Sequence, residues 1–327
     1  MKKIRWAVVG TGSIASRMVE EIRRTRGGAV VAVVSRTPER GRSTARAWGV
    51  GSWSTDLADL IEKSREKRES RETIDAVYLG TPHPAHFEPA LIALDRGVPV
   101  LCEKPLTASG YHTRLLVERA REKKVLLMEA LWTKFQPLIR RLWDYLDHGH
   151  LGQVRSIRGE LGFPAPFEPE GRLFSPKLGG GALLDLGVYP LWLPLAFWGE
   201  PRNLAVFGTR ASTGVDESST AMLAFSGGGR ATIETSIISA LEDSMTIYGT
   251  KGRIRVPAPL FNPTRIEVIP HEGKPEVWTT RPRGLNFVHQ IDHFHGLIHK
   301  DEKESPIHSL DDTLLLAKVM DQILGEL

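Results

Sequence analysis

Four short stretches of this 327-residue chain combine residue types that do chemistry with spacings that could place them for it: GTGSIA (10–15), TPHPAH (81–86), EKP (103–105) and GGGALLDLGVYPL (179–191). The first has the form of a phosphate cradle. Gly10 permits a tight turn and Gly12 lets backbone approach a pyrophosphate, with Ser13 and Ile14 at the N-terminus of the helix that takes the anion. Ala15 fills the third position of G-x-G-x-x-G/A, small enough for a helix to pack on a strand. Alone the pattern is weak, since many tight βα turns share it. Placed after a first strand and before a helix, it predicts a dinucleotide site. The second strand ends VVSRTPER, and this indicates which dinucleotide. An NAD site usually puts Asp or Glu there; here Ser35 offers a hydroxyl and Arg36 a planar cation suited to a 2′-phosphate or to stacking on adenine. Thr37 and Pro38 read as N-cap and first residue of the next helix, with Arg40 one turn on. The expectation is NADP in preference to NAD. The competing reading leaves Arg36 and Arg40 as solvated surface charges.

EKP closes the apolar run VPVLC, so Lys104 stands at the carboxyl end of a strand, where open parallel sheets bind ligands. Pro105 fixes the turn, and its X-Pro bond is a candidate for the cis form. TPHPAH ends the preceding core strand in the same way. Thr81, Pro82, His83, His86 and Glu103 are therefore expected with Lys104 around the cofactor. The alternative, a surface lysine and ordinary loop histidines, is plausible for either segment alone and not for both. In the fourth stretch, Gly179–Gly181 cannot pack a core. They are expected to let backbone run close to cofactor and substrate, and Asp185 and Tyr189, at i and i+4, to share one helix face.

The elements that must hold these residues follow from composition and periodicity. Apolar residues make up 41% and charged residues 25% of the chain, ordinary for a soluble globular enzyme. The 43 basic against 39 acidic residues suit an anionic small ligand and are too balanced to argue for nucleic acid. The single Cys102 excludes an internal disulfide framework and suits a reducing, cytoplasmic setting. No run approaches the roughly 18 apolar residues that cross a bilayer, so no membrane role is expected. IRWAVV, AVVAVVS, IDAVYLG, VPVLCEK and VLLMEA read as strands buried on both faces, alternating with helical segments near 14–25, 38–48, 84–96 and 109–123. That alternation predicts a parallel, Rossmann-type sheet over residues 1–128. EKSREKRESRET (62–73) has no apolar face and reads as a helix end and surface loop. From residue 150, VRSIRGELGF, NLAVFGTRAS, SSTAMLAFS, GRATIETSII, DSMTIYGTKGRIRV and TRIEVIP form a series of strands without intervening helices, predicting an antiparallel sheet. Ser309 and Asp312 read as a capping box before the apolar face of Leu315, Leu316, Val319, Met320 and Ile323. Residues 129–327 are expected as the second, α/β domain.

GTGSIA, TPHPAH, EKPL and GGGALLDLGVYPL, in this order, resemble the glucose–fructose oxidoreductase/inositol dehydrogenase (Gfo/Idh/MocA) family over nearly the whole chain. MEALWTKFQP (128–137) and Tyr189 are most similar to its dihydrodiol dehydrogenase and NADP-dependent D-xylose dehydrogenase branch; other members carry histidine at the position of Tyr189. The resemblance implies a Rossmann domain followed by an α/β domain with an open, mostly antiparallel sheet, whose outer face commonly makes homodimers or homotetramers. It also implies nicotinamide-dependent oxidation of a ring alcohol of a sugar, polyol or cyclic dihydrodiol, or the reverse. One departure is His83, where the family's loop often reads T-P-N.

Such a reaction needs a proton acceptor for the alcohol. A phenol titrates near 10, but an adjacent ammonium favours phenolate. Tyr189 is thus the expected proton donor or acceptor and Lys104 the group that lowers its pKa and polarises the oxygen. Lys104 as the proton carrier itself stays open. Asp185 is expected to orient substrate hydroxyls or Lys104, or else to cap the glycine-rich start of the helix; Trp132 and Phe163 are candidate apolar walls. Three other readings compete: an NAD-dependent glycosidase of the same family, against which Ser35-Arg36 argues; a non-catalytic nucleotide-binding regulator, against which Lys104 and Asp185 argue; and a metal enzyme. For the last, DHFHGLIH offers His293, His295 and His299 without a carboxylate motif, and reads as a solvated helix with no metal.

Overall fold

A computed structural model describes residues 3–66 and 73–327. The chain divides into two compact units: residues 1–130 with 283–310, and residues 131–282 with 311–327. The expected second domain, continuous over 129–327, is therefore interrupted, because residues 283–310 return to the first unit. Apolar burial takes them there. Phe287, Val288, Ile291, Phe294 and Leu297 are all buried, and the Phe294 ring lies 5.2 Å from that of Trp6.

The first unit alternates β1 (Ile4–Val9), α1 (Ser13–Arg24), β2 (Gly28–Val34), α2 (Pro38–Trp48), β3 (Ser52–Ser54), α3 (Leu57–Glu66), β4 (Ala76–Leu79), α4 (Phe87–Asp95), β5 (Val100–Glu103), α5 (Gly110–Lys123) and β6 (Leu127–Ala130). The strands pair in parallel in the order β3-β2-β1-β4-β5-β6. Every residue of β4, β5 and β6 is buried, which is why these strands read as apolar runs, broken only by Glu103 and Glu129. α1 buries Ala15, Met18, Val19 and Ile22 at helical spacing. The order of strands reverses between β1 and β4, and the crevice at the carboxyl ends of such a pair is where ligands bind in this architecture. β3 escaped the sequence reading because three polar-flanked residues show no period. The helix expected over 84–96 starts as a 3₁₀ turn at His83–Ala85, held by bonds from Ala85 N to Pro82 O and His86 N to His83 O, before α4 begins. Of the polar stretch 62–73, residues 62–66 belong to α3 and residues 67–72 lie outside the described residues.

The second unit contains α6 (Pro137–Asp147), β7 (Val154–Gly162), α7 (Val188–Trp198), β8 (Asn203–Arg210), β9 (Asp216–Ala224), β10 (Arg230–Ser236), β11 (Met245–Gly249), β12 (Gly252–Val256), β13 (Arg265–Pro270) and β14 (Glu276–Thr279). Its eight strands order as β14-β13-β12-β11-β7-β10-β9-β8. All pairs are antiparallel except β7 with β10. The parallel pair exists because α7 and two strands intervene in sequence, so no hairpin joins β7 to β10. α7 packs on these two central strands, and Gly159 makes room for it: a Cβ there would lie 2.8 Å from that of Pro190. On the other face Phe207 and Met222 remain 67% and 49% exposed. The helical stretch Pro176–Trp198 is long and apolar enough to cross a membrane, contrary to the expectation that no run reaches that length, but 83% of its most apolar window is buried within the fold.

Two helices complete the units, α8 (Val288–Lys300) in the first and α9 (Leu310–Glu326), nearly all of it in the second. α8 carries the histidine cluster and is not the solvated helix its sequence suggests. His295 is buried, its Nε2 accepts from Trp6 Nε1 at 3.0 Å, and burial, with the charge of His299 second, pushes its pKa down to about 4. His293 Nε2 meets Ser305 Oγ at 2.9 Å. These histidines serve packing and hydrogen bonding. α9 buries Leu316, Val319, Met320 and Ile323 of its expected apolar face, and its Asp312 carboxylate accepts from Lys134 Nζ at 2.9 Å.

Candidate active-site groups

In the first unit the chain leaves β1 through Gly10, whose φ of +111° and whose approach to the next loop both require glycine. A Cβ there would meet Gly80 O at 2.6 Å. Gly12 is different. It is the N-cap of α1, no side chain caps the helix, and a Cβ at Gly12 would meet nothing within 4 Å. The protein's own packing does not ask for glycine at residue 12; a ligand held against the helix N-terminus would. The first turn of α1 carries no acidic residue to offset its positive end, and Ser13 is exposed there. These residues fit a pyrophosphate.

At the end of β2 the expected cap forms. Thr37 Oγ1 accepts from Arg40 N at 3.4 Å, and Pro38 is the first residue of α2. Ser35 is buried and donates its hydroxyl to Thr37 O at 2.6 Å, so this hydroxyl shapes the turn rather than offering its proton to a ribose. Arg36 and Arg40 are exposed beside it.

The turn after β5 carries Lys104, half-buried, with a cis bond to Pro105 as its sequence allowed. Glu103 and His86, expected among the cofactor contacts, instead face into the unit. Tyr78 Oη donates to Glu103 Oε1 at 2.6 Å, and burial raises the Glu103 pKa against that bond and the Lys104 charge. His86 is fully buried, with Nε2 at 2.9 Å from Thr81 O and Nδ1 at 3.1 and 3.3 Å from Pro105 O and Leu106 O. Burial keeps its pKa below the usual histidine range, although the three carbonyls and Glu129 pull the other way. His86 thus lies between the TPHPAH loop and the EKP turn, and as a neutral imidazole it donates its single N–H to the carbonyls of one of them. Thr81 bonds Ala85 O at 3.1 Å, Pro82 is exposed and His83 is buried.

In the second unit two of the three glycines, Gly180 and Gly181, lie against the protein's own chain. A Cβ at Gly180 would meet Leu173 O at 2.5 Å, and one at Gly181, where φ is +118°, would overlap the Asp216 carboxylate. At Gly180 and Gly181 the backbone is cleared for the protein's own β9 and for residues 173–175. Asp216 Oδ2 accepts from Leu183 N at 2.7 Å, capping the helical start that Asp185 was a candidate to cap. Burial, outweighing that bond, raises the Asp216 pKa to about 6.

Residues Leu183–Gly187 then form a π-helical turn before α7. Asp185 sits on that wide turn, so its relation to Tyr189 is not the simple α-helical one expected. Its carboxylate is engaged by Arg172, with Nη1 to Oδ1 at 2.8 Å and Nη2 to Oδ2 at 3.1 Å. Burial opposes the Arg172 charge, but Asp185, and behind it Tyr189, raise its pKa overall. Tyr189, on the first turn of α7 and 8% exposed, accepts a bond from Trp132 Nε1 at 3.2 Å. Both rings lie near Phe261, at 5.3 and 5.9 Å. Trp132 is thus a polar partner of the phenol and not only an apolar wall. Phe163 follows β7, 39% exposed, its amide bonded to Ser236 O. Sequence reasoning missed Arg172, which stands in a loop without periodicity. It also passed over Glu129, although a carboxylate inside the buried run VLLMEA was a signal, since a buried charge needs a partner.

Two family models match the chain: "Oxidoreductase family, NAD-binding Rossmann fold" over residues 4–131, and "GFO/IDH/MocA C-terminal domain" over residues 139–255. A trans-1,2-dihydrobenzene-1,2-diol dehydrogenase of Xenopus laevis is 34% identical, covering 99% of this chain and 98% of its own length. Among solved structures, a 3-ketoreductase from Actinomadura kijaniata in complex with NADP and TDP-benzene is similar with a TM-score of 0.83 and 26% identity, covering 99% of this chain and 98% of that one. An aldose-aldose oxidoreductase from Caulobacter crescentus shares the fold, with a TM-score of 0.87 at 22% identity over 99% of this chain and 97% of that one.

Proposed function

Since the chain belongs to the Gfo/Idh/MocA family of NAD-binding oxidoreductases, we propose that it is an NADP-dependent dehydrogenase of cyclic diols, with sugars and polyols as the next substrate class. The diol assignment rests on the dihydrodiol dehydrogenases to which it is similar along its whole length. The choice of NADP rests on Arg36 and Arg40 at an end of β2 that carries no carboxylate. Bound nicotinamide supplies the hydride acceptor or donor. Ser13 and Ile14 at the start of α1 hold the pyrophosphate.

The observation that carries the reading is Tyr189, a phenol on the first turn of α7 whose oxygen accepts from an indole N–H. In this reading Tyr189 takes the proton of the substrate hydroxyl. The Trp132 donor and the Arg172 cation, itself held by Asp185, favour the phenolate. Lys104, on the turn after β5, is assigned the polarisation of the substrate oxygen. The same reading puts the protein's work in the cytoplasm, a reducing setting that suits a chain with a single cysteine. Self-association through the outer sheet face, where Phe207 and Met222 are exposed, belongs to the same reading.

The test is reduction of NADP, and separately of NAD, followed by absorbance with a panel of cyclic dihydrodiols, aldoses and polyols. Turnover with dihydrodiols and NADP is expected, and Tyr189→Phe should lower kcat by about 10²- to 10⁴-fold. Tight NADPH binding without turnover of any panel member would favour the regulator. Wild-type kcat in Tyr189→Phe would leave Lys104 as the proton carrier.

A further inference from the structure

Building on the proposed role of Lys104, we infer that Glu129 and His308 are positioning residues for it. They act as a buried relay that fixes the peptide following the cis-proline and thereby the turn that presents the lysine. Three observations within the first unit converge on this. Leu106 N, two residues after Lys104, donates to Glu129 Oε1 at 2.9 Å. The other carboxylate oxygen of Glu129 meets His308 Nε2 at 2.8 Å, with the two side chains 2% and 1% exposed. His308 is itself set by a turn in which Ser305 Oγ accepts from Ile307 N at 3.1 Å and His308 N at 3.2 Å while bonding His293 of α8 at 2.9 Å.

The segment that delivers His308 runs beside β6, where Leu127 N donates to Lys303 O at 3.3 Å. This gives residues 283–310 a reason to return to the first unit beyond filling its core: they complete the support of the EKP turn. His86 lies against the same turn, its Nδ1 3.1 and 3.3 Å from Pro105 O and Leu106 O, while Leu106 N is held by Glu129. A carboxylate buried in β6 would be expensive alone; paired with His308 and an amide it is satisfied. Neither residue contacts the reacting atoms in this scheme. Their effect is on where Lys104 stands, and a displacement of about 1 Å at a catalytic group can cost about 10²-fold in rate.

The decisive variant replaces the pair by similar-sized apolar residues, Glu129→Leu with His308→Leu. Replacing both partners of a buried pair together is commonly tolerated by the fold, because no unpaired charge remains. The double variant keeps the core but deletes the acceptor for Leu106 N. Expected is a 10- to 100-fold loss of kcat per NADPH-binding site, with the NADPH dissociation constant within about threefold of wild type. A second readout does not need turnover. The rate at which Lys104 is acetylated, measured by peptide mass spectrometry, should change several-fold while that of exposed Lys123 does not. Should the double variant fail to fold, Glu129→Gln and Glu129→Asp replace it. Glutamine keeps the reach to Leu106 N and should recover most of the loss, whereas aspartate keeps the charge but retracts the oxygen and should not.

The inference is overturned if Lys104 labelling and kcat per site are unchanged in the double variant, or if aspartate performs as well as glutamine. Failure of the underlying reading looks different: Lys104→Met would then retain wild-type kcat, whatever the Glu129 variants do.

Discussion

Asp216 gives a prediction whose size and sign both follow from the structure. Its carboxylate is 2% exposed and holds Leu183 N at 2.7 Å, and burial raises its pKa from 3.8 to about 6. A folded-state pKa above the unfolded one means that the native state binds the proton more tightly. The unfolded state then carries fewer protons between pH 4 and 6, so stability falls as pH rises through that window. Below the unfolded pKa the penalty is absent; above about pH 6 it is complete. At 1.36 kcal/mol per pKa unit, it amounts to about 3 kcal/mol. Asp216→Asn keeps an oxygen to accept from Leu183 N but cannot ionise, so it removes the penalty. Relative to wild type, the variant should gain about 3 kcal/mol between pH 4 and pH 7, whatever its constant offset from the extra amide donors. Urea unfolding of both proteins across that range, read by tryptophan fluorescence, gives the difference directly, and all other titrating groups cancel. A stability difference independent of pH would refute the argument that Asp216 is ionised only at a cost.

Three further outcomes are expected. Gly12→Ala should abolish tight NADPH binding while leaving Tm within a few degrees of wild type, because its Cβ meets no protein atom; Gly10→Ala should lower Tm markedly, because its Cβ meets Gly80 O at 2.6 Å. A comparable loss of Tm in both would show that Gly12 serves the fold. Arg36→Ala should weaken NADP binding by about 10- to 100-fold, the size of one charge-assisted contact, and barely affect NAD; equal losses, measured by calorimetry, would return Arg36 to the solvated surface. Trp132→Phe keeps a ring beside Phe261 but removes the donor to Tyr189, so kcat should fall by about 2- to 10-fold with KM nearly constant. A change confined to KM would make Trp132 a substrate wall only.

What the sequence by itself determined is local. Gly10, Gly12 and Ala15 could be read because a tight βα turn and a helix N-terminus constrain backbone within a few residues. The strands of the first unit were legible because burial on both faces writes continuous apolar runs, and Thr37-Pro38 because capping acts within one helical turn. The EKP turn announced itself by standing at a strand end. Only the tertiary structure decided what the conspicuous residues face. The triple glycine looked cleared for a ligand, but Asp216 fills the space beside Gly181. Asp185 pairs through both oxygens with Arg172, which the sequence did not single out; Tyr189 finds its donor 57 residues away in Trp132. Glu129 meets a histidine 179 residues on, delivered by a segment that leaves the second unit and returns to the first. Periodicity records which face of an element is buried, since that repeats along the chain. It carries no record of which distant polar group satisfies a buried charge, because that pairing is settled only when the packed chain excludes water and each buried donor or acceptor must find a partner.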